Sequence, residues 1–165
     1  MNVKNSTLFL LFVLSSLYGF SQEDSSENIR LMELDVFWQE VSRTIFEGDF
    51  EGCAATFHSK ASLVSDVNGK AYPIATALAG WKKDFDDTKA GLRKSSVAFR
   101  FSKRLGDATT AHESGIFYYS YEEGGKKNSY YINFEGLLVK EETWLMMMEY
   151  QKSPATKEDW DQLKQ

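Results

Sequence analysis

Three observations predict an α+β fold in which early helices cover one face of a curved antiparallel sheet. Apolar residues recur at the helical period before residue 86, they alternate at period two after residue 97, and short glycine-containing turns separate the alternating segments. Consecutive strands joined by such turns pair antiparallel, and helices gathered before them must bury their stripes on one sheet face.

The first residues predict a leader rather than part of that fold. Lys4 is the only charge before Glu23, Leu8 to Leu14 is an unbroken apolar run, and Gly19-Phe20-Ser21 supplies small residues before a cut. A basic start, a short apolar stretch and a small-x-small end form a secretory signal, so residues 1–21 are read as a signal peptide cleaved near Ser21 and the protein as exported, periplasmic or secreted. A membrane anchor needs about 20 apolar residues, and Ser15-Ser16 breaks this run too early. No further candidate span follows in the mature chain. Residues 22–32 are a polar N-terminal segment with Ser25 or Ser26 available as a helix cap, and 33–165 form one domain.

Within that domain, Leu34, Trp38, Val41 and Ile45, with Phe37 alongside, make one helical stripe. Gly48 is read as its C′ residue. Asp49 caps a short second helix through about Phe57. Ala61 to Asp66 reads as a strand closed by the Asn68-Gly69 turn. Pro73 opens a third helix with the stripe Ile74, Leu78, Trp81 and Phe85, followed by a polar linker over Asp86 to Gly91. Val97, Phe99 and Phe101 then face one way, and Ala98, Arg100 and Ser102 the other. Strands follow from Thr109 to Glu122, Tyr130 to Lys140 and Trp144 to Gln151, the first two joined by Gly124-Gly125. Thr156 caps a last helical turn through Leu163.

Composition narrows the function. Without Lys4 there are 18 basic against 24 acidic side chains and no extended basic cluster, which disfavours a nucleic-acid partner. Cys53 is the single cysteine, so no intrachain disulfide forms, and its neighbours Gly52, Ala54 and Ala55 mark it as a small buried apolar residue. Two histidines and one cysteine assemble no metal set by spacing. His112-Glu113 lacks the second histidine of a zinc protease, since Ile116 stands in that place. There is no glycine-rich phosphate loop, and no cofactor is called for.

The stretch Trp38 to Trp81 resembles the opening of the nuclear transport factor 2-like superfamily, especially its SnoaL-like and ketosteroid-isomerase-like branches. The likeness rests on the helix ending Glu47-Gly48-Asp49, on Phe50-Glu51 and Ala54 to Phe57, on Ala61-Ser62-Leu63-Val64, and on the helix near Trp81. Glu142-Thr143-Trp144-Leu145-Met146 is similar to the tryptophan-led last strand of that group. The resemblance implies a cone, with three N-terminal helices against the concave face of a bent sheet and a hollow between them, and it implies a homodimer through the outer sheet face. It does not carry the isomerase machinery across. The position of the helix-one tyrosine is Val41 here, and that of the strand carboxylate is Ser65, with Asp66 adjacent. Arg100, the one match to a hydrolase Asp-Arg-Asp set, is expected in solvent.

In such a cone the expected lining residues are Trp38, Phe57, Tyr72, Trp81, Tyr118, Asn133, Trp144, Met146, Met148 and Tyr150, the last four sharing one strand face by parity. Asp66, His112 and Glu135 are the weak catalytic candidates. If the face of Tyr131, Asn133 and Glu135 points inward, Glu135 becomes a desolvated base. If the more apolar face of Tyr130, Ile132 and Phe134 points inward, Glu135 is a surface acid. Three functions remain open: a binder of a small apolar or aromatic molecule, a cofactor-free lyase, isomerase or hydrolase, and a dimeric interaction module.

Overall fold

The computed structural model describes the backbone of residues 6–163 and the side chains of residues 25–163. The leader reading falls on residues 1–21, whose side chains lie outside the described residues. The chain runs α1 (Ser6–Glu47), α2 (Phe50–Ala55), β1 (Phe57–Ser65), β2 (Lys70–Pro73), α3 (Ile74–Lys89), β3 (Arg93–Gly106), β4 (Thr110–Glu123), β5 (Lys126–Lys140), β6 (Trp144–Pro154) and α4 (Lys157–Gln162). Among the described residues no helix is long and apolar enough to cross a membrane.

One open six-stranded sheet has the order β2-β1-β6-β5-β4-β3. It is mixed rather than antiparallel throughout. After α3 the chain crosses to the far edge, and three successive hairpin turns bring β6 back beside β1, so that these two strands run parallel. The other neighbours are antiparallel, with unbroken register from Thr110↔Val139 to Glu123↔Lys126 between β4 and β5. Bulges on β3 between Phe101 and Lys103, and opposite Asn133/Phe134 and Leu137/Leu138, bend the sheet. At the first of these Gly115 is required, because a Cβ there would lie 2.0 Å from the Arg100 carbonyl oxygen.

The helices follow the expected stripes with shifted ends. α1 does not start at Ser25 or Ser26 but passes through them, and Arg30, buried, holds this part of the helix by donating to the Gly106 and Arg104 carbonyls. α2 stops at Ala55, where the Thr56 hydroxyl donates to the Cys53 carbonyl (2.7 Å), and Phe57 opens β1. α3 continues through the stretch expected as linker, since Lys82–Asp86 and Lys83–Asp87 pair at i,i+4 along it. Gly48 is the anticipated C′ residue, at φ +68°; a side chain there would also strike the Lys89 nitrogen and the Phe85 carbonyl of α3 within 2.6 Å. Asp49 caps α2 by accepting from the Gly52 amide (2.9 Å).

The core lies between these layers. Leu34, Phe37 and Trp38 of α1 pack against Ala111, Phe134, Leu138, Trp144 and Met146 of β4 to β6. Ile74 and Ala77 of α3 pack on Ala61 and Leu63 of β1. The even face of β5 (Ile132, Phe134, Leu138) therefore points inward, as its apolar character favoured. α4 lies on the opposite, outer face, closed by a reciprocal capping box between Thr156 and Asp159.

Candidate functional site

Above the packed core the helices and sheet diverge around a cavity of about 360 Å3. α1 supplies Phe37, Trp38, Val41 and Ile45, α2 Cys53, and α3 Trp81, Asp84, Phe85 and Thr88. The sheet supplies Ser95, Val97 and Phe99 of β3, Phe117 and Tyr119 of β4, Tyr130, Ile132 and Phe134 of β5, and Met146, Glu149 and Gln151 of β6. The wall is mostly apolar and rich in aromatic rings. Trp38 lies tilted against Phe99 with ring centres 4.5 Å apart and meets Phe134 edge-on at 5.5 Å.

Trp38 is fixed by a buried ion pair. Its indole N–H donates to Glu113, a carboxylate with no exposed surface, and the Arg104 Nε donates to the other Glu113 oxygen at 2.6 Å. Arg104 also binds Asp35 of α1 (2.6 Å) and lies over the Phe101 ring. Glu113 is thus fully engaged in holding the wall, in keeping with the rule that a buried charge is paired and hydrogen-bonded.

Two polar groups interrupt the apolar lining. At one, Arg93 is buried and donates to Asp84 (3.1 Å), to the Ser95 hydroxyl (3.2 Å) and to the Tyr119 hydroxyl (3.0 Å), with Thr88 and Ser95 3.1 Å apart. At the other, Gln151 donates to the Glu149 carboxylate at 2.8 Å while the Ser65 hydroxyl donates to Gln151 (3.3 Å). Loss of water pushes the Glu149 carboxyl above its ordinary range, an effect the Gln151 hydrogen bond opposes. The Cys53 thiol nearby is pushed up to about 12, first by burial and further by the Glu149 and Asp49 charges. It is therefore an inert thiol, as a small buried residue should be.

Of the expected lining residues, Trp38, Phe57, Trp81 and Met146 face the cavity. Tyr72 packs instead against the β1–α3 cluster. Trp144 lies in a separate cleft, where it and Lys140 (2.7 Å) donate to Glu33 of α1. Tyr118, Asn133, Met148 and Tyr150 are on the outer face. The parity expected for β6 fails at Met147, which has no partner between Leu138↔Met146 and Leu137↔Met148. This one-residue bulge turns Met148 and Tyr150 outward and brings Glu149 and Gln151 in. Nothing in Met146-Met147-Met148 marks a bulge, so these two polar groups were not legible.

Asp66, His112 and Glu135 also lie outside. Asp66 accepts from the Tyr150 hydroxyl, and Glu135 accepts from Lys152 (2.7 Å) and lies 3.1 Å from His112 Nε2. Those partners hold the Glu135 carboxyl below its ordinary range, Lys152 contributing most. Arg100 is not in solvent. It lies beneath Trp160 of α4, stacked on that ring and donating to its carbonyl (2.8 Å), while Trp160 also meets Tyr118 and Tyr131.

No family model matches the chain, and no curated protein does. Solved structures do. A nuclear transport factor 2-like protein of unknown function from Shewanella oneidensis has a TM-score of 0.58 at 14% identity, covering 75% of this chain and 99% of its own. A nuclear transport factor 2-like superfamily protein from Salmonella enterica has a TM-score of 0.56 at 11% identity, covering 76% and 92%. A conserved protein from Planctomyces limnophilus reaches 0.66 at 7% identity, covering 78% and 99%. At these identities the likeness speaks for architecture, and with the bent mixed sheet, its N-terminal helices and the hollow between them it establishes that this chain has the nuclear transport factor 2-like fold.

Proposed function

We propose that this protein is an exported binder of a small apolar or aromatic molecule, held in the cone cavity without being turned over. The observation that carries the reading is the cavity itself. Its volume of about 360 Å3 and aromatic wall match what small-ligand sites need, with polar groups few and localised. Export rests on the basic start, apolar run and small-x-small end of residues 4–21. A homodimer across the outer sheet face completes the proposal. α4 lies over β3 to β5 on that face, with Trp160 against Tyr118, Tyr131 and Arg100.

The test is retention of a ligand. Purified protein is incubated with a metabolite extract, re-isolated and denatured, and the released small molecules are identified by mass spectrometry. A Val97→Phe variant, which fills the cavity, is treated in parallel. One or a few aromatic or apolar compounds released by the native protein and absent from the variant are expected. An empty native protein, or equal recovery from both, overturns the reading.

A second reading, a cofactor-free lyase, isomerase or hydrolase, gains support from Glu149. A desolvated carboxylate inside an apolar cavity is the environment in which enzymes tune a general base toward neutral pH. Of the acids and bases considered from the sequence, Asp66, His112 and Glu135 lie on the wrong face, so Glu149 inherits the role. Conversion of the retained compound on prolonged incubation, abolished by Glu149→Gln, would select this reading over simple binding.

A further inference from the structure

The cavity is electrically lopsided. Two acids, Asp84 and Glu149, are in its wall, and among the described residues no lysine or histidine lines it, while Arg93 lies behind the wall against Asp84, Ser95 and Tyr119. Asp84 is already engaged by Arg93 at 3.1 Å. Glu149 receives one hydrogen bond, from the neutral Gln151 amide, and among the described residues no cation pairs with it. A carboxylate set among aromatic rings with only an amide for company is a charge waiting for its counter-ion, since a buried ion is stabilised by an opposite charge far more than by a neutral donor. The rings add a second preference of the same sign, because the faces of tryptophan, tyrosine and phenylalanine attract cations.

We propose that the ligand of this cavity is an organic monocation, a protonated amine carried on an apolar or aromatic body, with its ammonium group paired to Glu149 and its body against Trp38, Phe57, Phe99 and Phe117. This rests on the ligand-binding reading above and specifies its chemistry. A carboxylate ligand meets a like charge and no cation. A neutral alcohol of the same shape fills the apolar space but leaves Glu149 uncompensated. The desolvation that raises the Glu149 carboxyl is the same quantity an incoming cation relieves.

Three probes of one shape separate the possibilities: 2-naphthylmethylamine, 2-naphthylmethanol and 2-naphthoate, titrated calorimetrically at about pH 8, where the amine remains largely protonated. The amine is expected to bind at least about tenfold more tightly than the alcohol, with the naphthoate weakest. Glu149→Gln should abolish the amine's advantage over the alcohol, with an unchanged circular dichroism spectrum certifying that the variant is folded. An alcohol or naphthoate that binds as tightly as the amine, or an amine preference that survives Glu149→Gln, overturns the charge assignment and leaves the cavity reading standing. Absence of heat from all three probes overturns both together.

Discussion

Glu135 and Glu149 sit almost side by side in the sheet and experience opposite worlds. Glu135 of β5 pairs with Tyr150 of β6, and Glu149 pairs with Gly136, one step along the same ladder. Because successive side chains point to opposite faces, one carboxyl enters the aromatic cavity and the other faces outward. On the outer side Lys152 and His112 stabilise the ionised form and lower the Glu135 carboxyl's affinity for protons. On the inner side the loss of water raises that of Glu149, and only a neutral amide opposes it. The residue type is the same and the ladder positions are adjacent, so the face decides whether the acid is a surface ion or a chemical resource.

The largest way to break this contrast is to empty the inner side. Phe134 is almost fully buried and its ring meets those of Trp38, Phe99, Phe101 and Phe117. Phe134→Ala should cost about 3–5 kcal/mol, lowering Tm by about 10 °C for a domain of this size. Thermal unfolding followed by circular dichroism checks it. A loss of only a degree or two would mean that this ring cluster does not hold the helices to the sheet.

How much of this was legible in the sequence depends on whether periodicity ran unbroken. The α1 stripe, the α3 stripe and the inward face of Val97, Phe99 and Phe101 followed from spacing, because a helix or straight strand repeats its faces without exception. The preference for the Ile132–Phe134 face on β5 was right for the same reason, with an apolar run opposed by Asn133 and Glu135. Four of the expected lining residues, on β4, β5 and β6, face outward because of position within bent strands. Met147 reverses the parity of Met148 to Gln151 on β6, and Tyr118 and Asn133 belong to the outward face onto which α4 packs Trp160. The parallel β1–β6 pairing was illegible for a different reason: it joins residues 86 to 89 positions apart, such as Ser65↔Gln151 and Phe57↔Met146, and no local pattern encodes a partner at that distance.

A smaller effect of opposite sign sharpens the comparison. Glu149 resists ionisation in the folded chain more than in the unfolded one, so its contribution favours folding below about pH 4.5, the ordinary glutamate range, and is lost as pH rises through its elevated folded value. Glu149→Gln keeps the acceptor for the Gln151 amide and removes the charge. It should therefore raise Tm at pH 7 by about 2–4 °C, corresponding to about 1 kcal/mol, and the gain should shrink toward zero as the pH falls below 4.5. A variant less stable than the native protein at pH 7 would show that the Glu149 charge is already compensated.

Lys152→Ala tests the outer partner and should give the least. Lys152 and Glu135 form a partly exposed pair, whose worth is about 0–1 kcal/mol, so Tm at pH 7 should fall by no more than about 3 °C. Here the pH dependence runs the other way. A depressed folded pKa contributes stability above the unfolded value, and that stability disappears as pH falls through the folded one. The native–variant difference should accordingly be present at pH 7 and gone once Glu135 is protonated, well below pH 4.5. His112, 3.1 Å away, is the second group acting on the same carboxylate. Repeating the titration in a His112→Ala background removes that contribution and isolates the Lys152 pair. If the two glutamates then titrate in the same direction, the face of the sheet is not what separates them.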